Sequence, residues 1–144
     1  MSSETMSSEA GVAEVLVIAA DLESGPAPYE QRITTGHHTV TCDEPVSRGG
    51  GDRGASPTGL LLAALAGCTS ITLRMYADRK GWDLGAVKVG IKLLRVGDKE
   101  RIDRTIQLQR KLTPEQISRL LEIADKTPVT KLLATGVQIR TGLQ

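Results

Sequence analysis

The stretch Ser56–Gly81, SPTGLLLAALAGCTSITLRMYADRKG, decides the fold of this chain. A serine followed by proline is typical of a helix start, with the hydroxyl as cap and the proline at the first helical position. The pattern therefore predicts a helix over 58–80 that ends before Gly81. One of its faces, at 3/4 spacing, carries Leu61, Ala64, Leu65, Cys68, Ile71, Thr72 and Met75. The rest of the helix is also largely apolar, so we expect burial on more than one side, part of it by a second subunit.

Length and composition restrict the class of protein. The chain has 144 residues, 40% hydrophobic and 24% charged, which predicts a single domain over 12–144 after a disordered N-terminus at 1–11. Eighteen basic and seventeen acidic side chains give a formal net charge of +1. This balance, with only three aromatic residues, argues against a nucleic-acid partner.

No membrane span and no secretory signal are predicted, because the N-terminus is polar and acidic and we find no apolar run of about 18 residues. Two cysteines do not make a disulfide framework. We therefore expect a cytoplasmic protein whose thiols are reduced.

Strands and shorter helices are expected on both sides of the long helix. Before it, β-prone runs at 12–18 and 32–43 predict two strands that pair as a hairpin, and the glycine-rich segment 47–54 predicts a flexible loop. After it, we expect strands at 87–94 and 102–110 joined by a turn at Gly97–Asp98. A capping box at Thr113–Gln116 predicts a second helix that stops before Pro128. A helical turn at 129–133 and a closing strand at 137–141 complete a mixed α+β pattern.

The thiols and histidines allow more than one interpretation. Cys68 is either a small core residue or a reactive thiol that needs a cation from elsewhere in the fold. Cys42 is expected to be exposed or half-buried filler, and the sequence leaves a Cys42–Cys68 disulfide open. His37 and His38 are expected to point to opposite faces of a strand, which argues against a shared metal ion. We predict no metal site and no cofactor, since zinc, phosphate-loop and dinucleotide motifs are missing from the sequence.

Three segments of the chain closely resemble the OsmC/Ohr family. They are Asp43–Pro45 with the GGGD that follows, the run from Ala55 through Cys68 to Trp82, and Leu120–Thr130 (LLEIADKTPVT). The resemblance implies an intertwined homodimer, with antiparallel sheets packed against two long central helices and active sites at the subunit interface. It also implies thiol-dependent reduction of small-molecule hydroperoxides. Cys68 matches the peroxide-reacting cysteine of that family.

The sequence departs from the family where the chemistry takes place. The second family signature has cysteine where this chain has Thr127, so the resolving thiol is missing. The family glutamate near the start of the central helix corresponds to Thr58 or Gly59. The family arginine that stabilises the thiolate comes from the N-terminal strands, and Arg32 is the nearest candidate.

Two functions remain open on this basis. The chain is either an OsmC-like peroxidase that uses Cys68 alone with an external thiol, or a non-catalytic binding or redox-sensing member of the family. An unrelated small α+β module is a third, less favoured interpretation.

Overall fold

The computed structural model describes residues 11–144, which form two compact units. One unit comprises 11–56 with 137–144, and the other comprises 57–136. Of the disordered N-terminus predicted at 1–11, residues 1–10 lie outside the described residues. The prediction of a single domain over 12–144 stays a prediction.

The first unit contains a three-stranded antiparallel sheet in the order β1-β2-β3. Its strands are β1 (Asp21–Ser24), β2 (Gln31–Thr35) and β3 (His38–Cys42). The single strand expected over 32–43 is therefore wrong, because a two-residue turn at Gly36–His37 divides it into a hairpin with Thr35 opposite His38. Gly36 has a φ of +59°, a conformation that glycine adopts without strain. The two histidine rings consequently lie side by side, with centroids 4.0 Å apart and planes tilted by 38°, instead of pointing to opposite faces.

The segment after β3 is a loop with defined hydrogen bonds, and the flexibility expected for 47–54 stays a prediction. The carboxylate of Asp43, only 2% exposed, accepts hydrogen bonds from the backbone N–H groups of Glu44 (2.7 Å) and Arg53 (3.1 Å). A short 3-10 helix, Val46–Arg48, lies between these contacts. A Cβ on Gly50 would come within 1.9 Å of the Glu44 carbonyl oxygen, so glycine is required there by close backbone approach.

The second unit follows the predicted pattern closely. The long helix is α1 (Pro57–Lys80), and Gly81 follows it with a φ of +72°. The hairpin consists of β4 (Val87–Val96) and β5 (Lys99–Leu108), paired antiparallel around the predicted turn at Gly97–Asp98. The capping box at Thr113 is present at the start of α2 (Pro114–Ala124), and α3 (Pro128–Thr135) follows. The mixed architecture of helices with two antiparallel sheets is thus confirmed.

The core of this second unit lies between α1, α2 and the hairpin. Its buried members are Leu73, Ala77, Leu84, Leu120 and Ala124. At the end of α1, the ring of Tyr76 packs edge-on against Trp82 at 5.6 Å, and its hydroxyl accepts a hydrogen bond from Arg119 of α2. That bond raises the pKa of Arg119.

By length and composition, α1 is the one helix within residues 11–144 that could cross a membrane. Core helices of soluble proteins meet the same criteria, so this is weak evidence. The absence of a membrane span stays a prediction.

Two predicted strands are not formed in the single chain. Residues 12–18 and 137–141 have no strand pairing, although both carry β-prone apolar side chains. Val17 is 92% exposed and Ile139 84% exposed. A strand needs a partner strand, and neither segment pairs with a strand within residues 11–144.

Candidate functional site

Cys68 lies at the middle of the open side of α1. The side chains that share this side are Leu61, Ala64, Cys68, Ile71 and Met75, with Cys68 half-buried. Ile71 is 57% exposed and Met75 58% exposed. Cys68 is therefore a free thiol at the centre of an apolar strip that the single chain leaves largely uncovered.

The inner side of α1 differs from the face that the periodicity picked out. The residues buried within the chain are Leu65, Thr69, Leu73 and Ala77. Of these, only Leu65 belongs to the 3/4-spaced face named from the sequence. Because both sides of α1 are apolar, periodicity alone could not tell which of them faces the core of its own chain.

Thr127, which the family resemblance puts at the position of the resolving cysteine, is fully buried and caps α3. Its hydroxyl accepts a hydrogen bond from the backbone N–H of Thr130 (3.2 Å) and shares a 2.6 Å bond with the Thr130 hydroxyl. Pro128 follows at the first helical position. A threonine at the cap and a proline after it are favourable residue types for a helix start, so Thr127 has a local structural role in addition to any chemical one.

Arg104 of β5 joins α1 to the segment around Thr127. Its Nη1 donates to the hydroxyl oxygens of Thr69 and Thr130, both at 2.9 Å. Its Nη2 donates to the carbonyl oxygen of Ala124 at 2.9 Å and contacts the Asp125 carboxylate at 3.4 Å. We call Arg104, Thr69, Thr127 and Thr130 the Arg104 cluster.

From the sequence, Arg104 was assigned only to a strand, and the Arg104 cluster was not predicted. One signal was present: Arg104 alternates in register with Ile102 and Ile106, so the pattern put a charged residue on an apolar strand face. A cation on such a face needs several acceptors close by. The acceptors themselves lie 20 to 35 residues away in sequence, beyond the reach of any local pattern.

Arg32 and Cys42 belong to the other unit. Arg32 is exposed on β2 opposite Thr41, and its role as thiolate stabiliser stays a prediction. Cys42 is 5% exposed, so the expectation of an exposed or half-buried side chain is wrong. It lies at the end of β3, where an isolated bridge to Ala55 covers it. Both cysteines are free thiols.

Two other features bear on ligand binding. Between residues 11 and 144 there is no group of three or more His, Cys, Asp or Glu side chains that could hold a metal ion. A cavity of about 420 Å³ opens on the inner side of α1, lined by apolar residues that include Leu73, Leu108, Ile117 and Leu121. Cys68 is not among its lining residues, so the cavity and the thiol are separate features.

Comparison with known proteins agrees with this architecture. The family model described as OsmC-like protein matches residues 49–142. The chain belongs to the OsmC-like family. No curated relative matches it in sequence.

Three solved structures illustrate the likeness of the fold. A proposed osmotic-stress-induced and detoxification-response protein from Psychrobacter arcticus 273-4 is 17% identical, with a TM-score of 0.69 over 84% of this chain and 90% of that one. An organic hydroperoxide resistance protein OsmC from Legionella pneumophila is 17% identical, with a TM-score of 0.60 over 89% and 96%. The organic hydroperoxide resistance protein OhrB of Bacillus subtilis is 18% identical, with a TM-score of 0.57 over 87% and 96%. At these identities the likeness establishes the fold alone.

Proposed function

We propose that this protein reduces hydroperoxides with a single reactive cysteine, Cys68, and an external thiol. The observation that carries the proposal is the position of Cys68: a free, half-buried thiol at the centre of the open side of α1, in a chain of the OsmC-like family. The names of neighbouring structures, which include organic hydroperoxide resistance proteins, agree with this class of substrate.

The proposed cycle has three balanced steps. The Cys68 thiolate attacks one peroxide oxygen, the O–O bond breaks, and the alkoxide takes up a proton, leaving an alcohol and a sulfenic acid. An external thiol then attacks the sulfenic acid sulfur, which releases water and forms a mixed disulfide. A second external thiol releases Cys68 as a thiol and leaves as the small disulfide. Two thiols are oxidised for each peroxide reduced.

The external thiol is needed because Thr127 cannot act as a resolving group. A hydroxyl forms no disulfide, and this one is fully buried and hydrogen-bonded to Thr130. The same observation favours the second candidate function, a binding or redox-sensing member without turnover. In that case oxidation of Cys68 would stop at the sulfenic acid or proceed irreversibly to the sulfinic acid.

We also propose that the working form is a homodimer. The open side of α1 and the segments 12–18 and 137–141 leave many large apolar side chains exposed in one chain. Monomeric proteins rarely expose apolar surface on this scale, and a second copy of the chain is the partner that the family resemblance implies.

Peroxide consumption tests the activity directly. Wild type and Cys68→Ser are compared with cumene hydroperoxide or hydrogen peroxide, with dithiothreitol or dihydrolipoamide as the reductant. We expect thiol-dependent consumption by wild type and none by Cys68→Ser. Cys42→Ser is the matched control and should retain consumption. If wild type consumes no peroxide with either reductant, the non-catalytic function is the correct one.

Thr127→Cys tests whether the site has kept family geometry around the lost thiol. We expect that one equivalent of peroxide then produces a reducible bridge between Cys68 and the introduced cysteine, detected by non-reducing peptide mass spectrometry. Thr127→Ser, which keeps the cap hydroxyl, is the control and should give no bridge. A free thiol at position 127 beside an oxidised Cys68 would mean that the site has been remodelled.

A further inference from the structure

Arg104 has an unusual position for a charged side chain. It belongs to the apolar face of β5, and its side chain is only 14% exposed. Its hydrogen bonds reach the three helices: Thr69 on α1, the last carbonyl of α2 at Ala124, and Thr130 on α3. One side chain thus fixes where three helices lie against the hairpin.

The partners of the guanidinium are mostly neutral. Two hydroxyls and one carbonyl accept its three short hydrogen bonds. The carboxylate in contact with it, that of Asp125, is at 3.4 Å and its side chain is 83% exposed, so solvent screens it strongly. The positive charge of Arg104 is therefore only partly compensated in a setting that is itself partly buried.

Thr69 connects this charge to the candidate reactive thiol. It is fully buried and directly follows Cys68 in α1. Its hydroxyl donates to the Leu65 carbonyl at 2.7 Å and accepts from Arg104 at 2.9 Å. The bond to Leu65 lies within α1, so the bond from Arg104 is the one that links α1 to β5 at the residue next to Cys68.

We propose that Arg104 is a positioning residue for Cys68. Through Thr69 it ties the α1 segment that carries the thiol to β5, and it places a partly compensated positive charge on the inner side of that segment. A positive charge nearby favours the thiolate over the thiol. The inference rests on the proposed function in taking Cys68 as the reactive group, but it assigns the supporting cation to Arg104 of the same unit.

Alkylation of Cys68 by iodoacetamide tests this without any peroxide. The rate is followed by peptide mass spectrometry as a function of pH, on variants that retain a cooperative thermal unfolding transition. In Arg104→Met, Cys68 should be alkylated at least about threefold more slowly at neutral pH. Arg104→Lys keeps the charge and should keep the profile close to that of wild type.

The matched control lies three residues earlier on the same strand. Arg101 is exposed and donates to Asp103 at 2.7 Å, a bond that holds the pKa of Asp103 below its usual range. Arg101→Met should leave the Cys68 profile unchanged. An equal slowing of Cys68 alkylation in Arg101→Met and Arg104→Met would overturn the proposal, because the loss of either positive charge would then have the same effect. An unchanged profile in folded Arg104→Met would overturn it as well.

If Arg104→Met does not fold, a second pair of variants tests the positioning role of Arg104. Thr69→Val removes only the hydroxyl that links Arg104 to α1, and Thr69→Ser keeps it. A changed Cys68 alkylation rate in Thr69→Val but not in Thr69→Ser supports the proposal, and wild-type rates in both overturn it. Failure of peroxide reduction in wild type, with these alkylation differences present, would reject the proposed function and leave the role of Arg104 standing.

Discussion

The two sides of α1 are both apolar, but one is buried within its own chain and the other is largely exposed. The inner side, with Leu73 and Ala77 fully buried, packs against α2 and the hairpin of its own chain. The open side, with Ile71 and Met75 more than half exposed, meets nothing comparable in the single chain. Cys68 belongs to the open side and Thr69 to the inner side. Two consecutive residues of α1 therefore differ in kind: Cys68 is a candidate reactive residue, and Thr69 is a buried structural one.

The largest effect is expected from truncation on the inner side. Leu73→Ala removes a fully buried side chain and leaves a cavity, which should lower the free energy of unfolding by about 3 kcal/mol. Met75→Ala on the open side is the matched control and should cost less than about 1 kcal/mol under monomeric conditions. Chemical denaturation of both variants measures the difference.

Equal losses in these two variants would contradict the assignment of the two sides. Such a result would mean that the side chain of Met75 is as deeply buried as that of Leu73 in the folded chain. The denaturation should therefore be run at the lowest usable protein concentration, and then repeated at a higher one, where the proposed dimer would also bury Met75.

Features of the fold that depend on residues close together in the sequence were predicted correctly more often than features that depend on distant residues. The ends of α1, the β4–β5 hairpin and the capping box at Thr113 come from local signals, and all three were predicted correctly. The turn at Gly36–His37 was missed, because a strongly β-prone run on both sides outweighed a single glycine. The segments at 12–18 and 137–141 were predicted as strands from propensity alone, which does not supply the partner strand that they lack.

The candidate site divides in the same way. Cys68 and Thr127 were named from continuous motifs, and their roles stay predictions. The contacts of Arg104 could not be predicted, because Thr69, Ala124 and Thr130 are brought to it only in the folded chain. The side of α1 that faces inward was also beyond a single sequence, since apolar residues cover both sides and the partner elements make the choice.

The second prediction concerns the occupant of the open side. If a second copy of the chain covers it, sedimentation at micromolar concentration should give about twice the 15.4 kDa chain mass. Ile71→Glu places a charge in that interface and should weaken the dimer at least about tenfold, or about 1.4 kcal/mol. Its effect on the unfolding of the monomer should be small, because Ile71 is 57% exposed there.

The control is Leu121→Glu on α2, another exposed apolar side chain, at 55%, but outside the open side of α1. It should leave the oligomeric mass unchanged. A wild-type protein that sediments as a stable monomer would reject the homodimer, and dissociation by Leu121→Glu but not by Ile71→Glu would move the interface to α2.

The smallest effect is expected at Gly67, one residue before Cys68 in α1. An added Cβ there meets no side chain within 4 Å in the single chain, and glycine inside a helix costs roughly 0.5–1 kcal/mol relative to alanine. Gly67→Ala should therefore raise the free energy of unfolding of the monomer by up to about that amount.

Gly90→Ala on β4 is the contrasting control, because its Cβ would lie 2.8 Å from the Thr105 hydroxyl and should bring no gain in the free energy of unfolding. If Gly67→Ala stabilises the monomer but weakens the dimer, the second subunit approaches α1 closely beside Cys68. If Gly67→Ala destabilises the monomer, an added Cβ meets other atoms of the same chain at this position, and the open side of α1 is covered there.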